Sequence, residues 1–219
     1  GFICCGHSIL SQLRGMWAFV IWDKQKEELF MSRDRFGEKP LFYEFNNGIL
    51  SFASNLSGIT KLTGAKSLNP NAISELFAYQ YISHNHSIYE GLQKLPPASF
   101  ATVSIEGIQI STYWNVNYSE KIDISITEAQ DTIENILTHS IEEKLIADVP
   151  LGLFLSGGND SGIVAAIASK FKKGINSITL STPENPDLDE SIYAKQIAQL
   201  HGINYHQVDL QMDCINKLP

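Results

Sequence analysis

The chain has 219 residues, 43% hydrophobic and 18% charged, which is room for one large or two small soluble domains. A net charge of −8 argues against a general nucleic-acid binder, and no apolar run approaches the roughly 20 residues of a membrane span. Three cysteines, Cys4, Cys5 and Cys214, form neither a disulfide framework nor a metal pattern, which favours a reducing, cytoplasmic setting.

Gly1 to Leu10 lacks basic residues and does not read as a signal peptide. The sequence opens without Met and stops at Lys217-Leu218-Pro219, after a strand-like segment, so the expectation is a fragment cut at both ends. Cys5-Gly6 invites comparison with enzymes whose first residue is a nucleophilic cysteine, its own α-amino group serving as base. Four residues precede Cys5. Small buried hydrophobes or a frayed terminus are therefore the expected state of Cys4 and Cys5.

Gly15 to Trp22 and Glu28 to Ser32 are apolar runs separated by the polar Asp23 to Glu27, a predicted β-hairpin. Arg33 to Tyr43 (RDRFGEKPLFY) begins as a turn at Asp34 to Gly37 and becomes a strand after Pro40; Gly48 to Ala53 is another strand. Trp17, Phe19 and Trp22 are expected in the core, and Arg33 and Arg35 as structural ion-pair partners. Asn69-Pro70 followed by Ile73, Leu76, Phe77 and Tyr81 predicts a short amphipathic helix capped by Asn69. His84 and His86 lack a third ligand nearby and read as a solvated pair rather than a metal site. Ile88 to Pro97 is turn-rich, and Ser99 to Val103 with Ile108 to Trp114 form a final hairpin around Glu106-Gly107.

Asn115 to Ser125 is polar and irregular, the best candidate for a linker. Beyond it, Ile126, Ala129, Ile133, Ile136, Leu137, Ile141 and Leu145 follow the spacing of one helical face, with Thr127 placed as cap and Gln130 three residues on. Leu151, Leu153, Phe154 and Leu155 predict a buried strand that stops at Ser156-Gly157-Gly158; a helix opens at about Asp160. Strand, glycine turn and helix point free backbone N–H groups and a positive dipole end at an anion. Paired glycines let backbone approach a ligand, Ser156 and Ser161 add hydroxyls, and Asp160 offers a carboxylate for magnesium. No Gly-Lys-Ser/Thr follows, so this is not a P-loop; the rival reading is a flexible turn of small residues. Ile175 to Leu180 and Ile203 to Leu210 are further strands around an acidic-started helix (Ile192, Tyr193, Ile197, Ala198, Leu200) that ends at Gly202. This alternation predicts parallel strands in a doubly wound sheet, with ligands at the strands' carboxyl ends.

The octet Leu155 to Gly162, LSGGNDSG, resembles the pyrophosphate loop SGGxDS of enzymes that cut ATP to AMP and pyrophosphate. Leu13 to Asp23 (LRGMWAFVIWD), RDRFGEKPLFY, Leu50 to Ser54 (LSFAS), the KLPP and Tyr113-Trp114 segments resemble the closing half of the glutaminase domain of glutamine-hydrolysing asparagine synthetases. Ala147 to Gly158 and Asp189 to Ala194 are similar to segments of the synthetase half of that family. Glu38, Asn55, Asn159 and Gly162 depart from the family's frequent residues. Argininosuccinate, NAD and tRNA-lysidine synthetases share the loop without this preceding half.

The resemblance implies an α/β chain, α+β overall. Residues 1–118 would be the β-rich closing part of an N-terminal-nucleophile glutaminase domain, and residues 119–219 the opening part of a doubly wound nucleotide-binding synthetase domain. ATP would adenylate the β-carboxyl of aspartate, and glutamine-derived ammonia would displace AMP. Leu155 and Leu180 would contact the nucleotide, Ser156, Gly157, Gly158 and Ser161 its phosphates, and Asp160 a Mg²⁺ ion. The implied partners are aspartate, glutamine and ATP, with no nucleic acid or membrane, and a homodimer is compatible with the resemblance. The family's glutaminase nucleophile lies upstream of this segment and its acceptor pocket beyond Pro219, so the segment alone is expected to be inactive. The rivals are an amidotransferase of the same architecture acting on another carboxylate, and a catalytically silent protein that at most binds nucleotide.

Overall fold

A computed structural model describes residues 1–83 and 86–210, which divide into two compact units meeting between Lys121 and Ile122. In the first unit, α1 (Phe2–Cys5) and a 3₁₀ turn (Gly6–Ser11) precede an antiparallel hairpin of β1 (Ala18–Asp23) and β2 (Glu28–Arg33). Asp23 shapes the connection: its Oδ1 accepts from the N–H groups of Gln25 and Lys26. The predicted strands β3 (Phe42–Asn46) and β4 (Ile49–Ala53) pair through Asn47-Gly48. Both residues have positive φ, 51° and 76°, which gives the two-residue turn its twist. After α2 (Leu56–Thr63) and α3 (Pro70–Tyr79), the short β5 (Gln93–Lys94) pairs with β3. Strands β6 (Ser99–Ser104) and β7 (Gly107–Thr112) complete a sheet of order β1-β2-β6-β7 beside the smaller β4-β3-β5. Met31, Ala101 and Val103 from one sheet and Tyr43 from the other share a core with Leu41 and Leu95.

The aromatic expectations need correction. Trp17 and Phe19 are half-buried, whereas Trp22 is 51% exposed: it shares the face of Ala18 and Val20, but it sits next to the end of β1, beyond the Val20–Met31 pair that packs in that core. Arg33 and Arg35 are structural, as expected, but their partners are carbonyls. Arg33 donates to the carbonyl oxygens of Lys39 and Leu95, each at 2.8 Å, and to that of Gly37. Arg35 donates to those of Leu13 and Ser11 and lies 6.0 Å from the Trp17 ring centre. Asn69 caps α3 by accepting from Asn71 and Ala72, but only Ala72 of that helix is buried, and Phe77 is 84% exposed. Gln80, in the left-handed region at φ 62°, ends the helix, so Tyr81 lies outside it. His86 Nδ1 sits 2.8 Å from Glu75 Oε1; His84 and Cys214 lie outside the described residues.

In the second unit, α4 (Ile126–Lys144) is capped two residues before the expected position. Ser125, not Thr127, caps it: Ser125 Oγ accepts from Glu128 N–H at 3.2 Å while Glu128 Oε2 accepts from Ser125 N–H at 2.9 Å. This reciprocal pair satisfies two orphan donors at once, which Thr127 with Gln130 does not do here. The parallel strands β8 (Gly152–Phe154), β9 (Asn176–Ser181) and β10 (Asn204–Asp209) lie side by side in chain order, linked by α5 (Asn159–Phe171) and α6 (Ser191–Leu200). Among the described residues the sheet therefore winds in one direction only, and the second winding of a doubly wound sheet is not among them.

Burial in this sheet runs against side-chain polarity. The buried positions of β9 are Ser177, Thr179 and Ser181, and the buried positions of α5 and α6 include Ala165, Ala168, Ala194 and Ala198. Small side chains let backbone elements approach, and the hydroxyls find carbonyl or carboxylate acceptors. The opposite face carries Phe154, Ile178, Leu180 and Val208, in register and all exposed. Phe154, expected in a buried strand, is 82% exposed for this reason. Ile192, Tyr193 and Leu200 of α6 are likewise exposed.

Candidate functional site

Leu155, 2% exposed, fixes the end of β8. Its N–H donates to the Ile178 carbonyl at 3.0 Å, and its own carbonyl accepts from Thr179 Oγ1 at 2.7 Å. The chain then turns through Ser156, Gly157 and Gly158 into α5. Ser161, one turn into the helix, braces this turn: its Oγ lies 2.8 Å from Ser156 Oγ and accepts from Ser156 N–H at 3.2 Å. Ser156 Oγ in turn accepts from Gly158 N–H at 3.2 Å. The two serines expected to touch a ligand thus also build the loop.

Gly157 has a protein reason to be glycine. A Cβ there would lie 2.9 Å from Tyr193 Cβ and 3.0 Å from both Cβ and the carbonyl oxygen of Glu190, so the start of α6 packs on the loop backbone. Gly157 N–H donates to Glu190 Oε2 at 3.1 Å. Gly158 is the N-cap of α5 and supplies no side-chain cap, so the helix presents first-turn N–H groups at its positive dipole end without a capping side chain. Asp160 lies exposed in that turn.

The loop borders an open cleft of about 490 Å³ at the carboxyl ends of β8 and β9. Its lining combines the polar Ser156, Ser161 and Glu190 with the apolar Phe154, Ile178 and Leu180. Of the residues singled out in the sequence, Leu155, Ser156, Ser161 and Leu180 line this cleft. Gly157 and Gly158 form the adjoining backbone, and Asp160 stands beside them without lining it. Phe154, Ile178 and Glu190 were not anticipated. The β-strand alternation that places Leu180 also places Ile178, whereas no local signal announces Glu190, which meets the loop 33 residues away in sequence. Its neighbour Asp189 is spent on structure: hydrogen bonds from Ser181 Oγ at 2.7 Å and Ser191 N–H at 2.9 Å hold its carboxyl below the usual range.

Among the described residues, no three His, Cys, Asp or Glu side chains group to hold a metal ion. A magnesium ion that keeps its waters and takes one carboxylate plus ligand phosphate oxygens is consistent with the single exposed Asp160. Cys4 and Cys5 are exposed rather than buried, and their amides are tied into a helical turn on the Gly1 carbonyl. No helix among the described residues is long and apolar enough to cross a membrane.

Residues 2–114 match the family model described as glutamine amidotransferase domain, and residues 132–219 the model described as asparagine synthase. Asparagine synthetase (glutamine-hydrolyzing) 1 of Bacillus subtilis (strain 168) is 30% identical over 214 residues, covering 95% of this chain and 33% of the relative. A putative asparagine synthetase (glutamine-hydrolyzing) 2 of Methanocaldococcus jannaschii is 30% identical over 208 residues, covering 92% and 40%. Amidase chry2 of Gibberella zeae is 27% identical over 229 residues, covering 96% and 34%. A solved structure, glutamine phosphoribosylpyrophosphate amidotransferase from B. subtilis, overlaps at 15% identity with a TM-score of 0.34, too low to carry weight; it covers 91% of this chain and 34% of that one. The chain thus spans only about a third to two-fifths of the length of these curated relatives. Matched by both family models in succession, the chain belongs to the glutamine-hydrolysing asparagine synthetase family.

Proposed function

We propose that this chain takes part in the ATP-dependent amidation of aspartate to asparagine through β-aspartyl-AMP, with ammonia drawn from glutamine, in the cytoplasm. In this reading residues 1–118 are the closing part of the glutaminase domain and residues 119–219 the opening part of the synthetase domain. The observation that carries it is the loop at the end of β8: a glycine turn feeding a helix N-terminus with no side-chain cap, beside a cleft lined by both polar and apolar residues. Ser156, Gly157, Gly158 and Ser161 would hold the ATP phosphates, with Leu155 and Leu180 against the nucleoside. Asp160 would hold Mg²⁺, which when bound supplies positive charge to the leaving pyrophosphate. The chain's own part is to aim backbone N–H groups at that charge and to fix its position.

The test is Asp160→Asn in the complete enzyme. Aspartate-dependent ATP–pyrophosphate exchange is expected to fall at least a hundredfold, while the melting temperature stays within a few degrees, because a carboxylate at a helix start is worth only about 0.3–1 kcal/mol. Exchange at the wild-type rate would reduce Asp160 to a helix-end charge. A companion assay follows glutamate release from glutamine by the chain as it stands. No turnover is expected, since Cys4 and Cys5 are chain-internal and their amides are engaged in the helical turn. Turnover that vanishes in the Cys4→Ala/Cys5→Ala variant would show a working nucleophile.

A further inference from the structure

Every loop amide between β8 and α5 already has a partner, and one of those partners is an anion. Ser156 and Gly158 N–H groups are taken by serine hydroxyls, which rotate easily toward another acceptor. Gly157 N–H is taken by the Glu190 carboxylate at 3.1 Å. Glu190 occupies the N-cap position of α6 but makes no side-chain cap there. The Ser191 amide is instead served by Asp189. Glu190 therefore directs its charge across the cleft edge to the loop, and it lines the cleft with Ser156 and Ser161. Its backbone is held against Gly157 by close packing, so the carboxylate stays near the loop at high local concentration.

We propose that Glu190 is an internal competitor for the loop's anion site, so that a phosphate-bearing ligand binds only by displacing its carboxylate from Gly157 N–H. This rests on the reading of the loop as a pyrophosphate site. A side-chain carboxylate offers two oxygens to one amide. A pyrophosphate group has enough oxygens to take that amide and the uncapped first turn of α5 together. Glu190 thereby sets a threshold: polyphosphates displace it, while weaker anions do not, and the empty loop keeps its shape because its donors are satisfied.

The experiment is calorimetric titration of the full chain with inorganic pyrophosphate, comparing wild type, Glu190→Gln and Glu190→Ala. Glutamine keeps the size and an acceptor oxygen while removing the charge; alanine removes both. Both variants are expected to bind pyrophosphate about three to ten times more tightly than wild type, the difference between competing with a charged and with a neutral or missing acceptor. Unchanged or weaker binding in Glu190→Gln, with wild type binding measurably, overturns the competitor role and leaves Glu190 as a prop or a ligand-side group. No binding in any of the three chains overturns this inference together with the loop reading on which it rests.

Discussion

Asp34→Ala is expected to remove roughly 3–5 kcal/mol from the stability of the first unit, measured by urea unfolding followed by tryptophan fluorescence. Asp34 is 1% exposed, and its carboxylate accepts from four backbone amides: Trp17 at 3.2 Å, Phe36 at 3.1 Å, Glu38 at 2.9 Å and Lys39 at 3.0 Å. Alanine leaves these donors without an acceptor and the neighbouring Arg33 guanidinium without its counter-charge. Asp34→Asn retains one acceptor oxygen and should lose less. A loss below about 1 kcal/mol for alanine would mean that water replaces the carboxylate freely. The same site gives a pH dependence. Desolvation alone raises the Asp34 carboxyl, but the amides of Lys39, Glu38, Trp17 and Phe36 outweigh it and hold it below its ordinary value. With the folded value depressed, the stabilisation is complete above the unfolded value of about 3.9 and is lost as pH falls through the folded one. Asp34→Ala should therefore flatten the acid limb of the stability profile.

The motif RDRFGEKP thus acts as one knot. Arg33 fills three carbonyls, Asp34 four amides, and Gly37 at φ 67° leaves room where a Cβ would meet the Arg33 guanidinium at 2.8 Å. The Tyr113 hydroxyl donates to the Arg33 carbonyl at 2.9 Å, and burial pushes its pKa up to about 12, so it remains a donor across the physiological range. This explains why Arg33 and Asp34 are charged yet buried, which a reading by hydropathy alone does not anticipate.

What was legible in the sequence is what depends on short-range pattern. Alternating apolar runs place the hairpin strands, and the apolar run with its glycine stop places β8, the loop and α5. The helix α2 was not anticipated because Gly58 interrupts eight residues of mixed character; the Asn55 cap, accepting from Gly58 N–H at 2.8 Å, was its one signal. Faces were harder than elements. In α6 the large apolar residues Ile192, Tyr193 and Leu200 suggest the inward side, yet Ala194 and Ala198 are buried. Close approach to a strand whose inward residues are Ser and Thr selects small side chains over large ones. At the site, the loop residues are local and readable. Glu190 and the cleft wall depend on which strands lie adjacent, which the chain order of three parallel strands settles only once they are paired.

Gly157→Val is expected to damage both stability and ligand binding, and the two effects share one cause. Even the first added carbon meets Tyr193 Cβ at 2.9 Å, closer than Cβ atoms are found to approach a neighbour, and the Glu190 carbonyl oxygen at 3.0 Å, a tight contact. The branches of valine add to that overlap, and neither neighbour can move by side-chain rotation alone, since one contact is backbone. Overpacking of this kind costs about 1–3 kcal/mol, enough to lower the melting temperature of the second unit by several degrees. The start of α6 must also move off the loop, breaking the Gly157–Glu190 hydrogen bond and shifting the amides that would meet the phosphates. Affinity for Mg²⁺-ATP is therefore expected to fall by more than tenfold. Gly158→Ala separates stability from binding. Its Cβ would lie 3.3 Å from Ser156 Oγ, a hydroxyl that can turn aside, so its melting temperature should stay within about two degrees of wild type. Any loss of ATP affinity in Gly158→Ala then reports the loop surface itself. A Gly157→Val chain that melts and binds like wild type would refute the close packing of α6 on the loop, and with it the account of why this position is glycine.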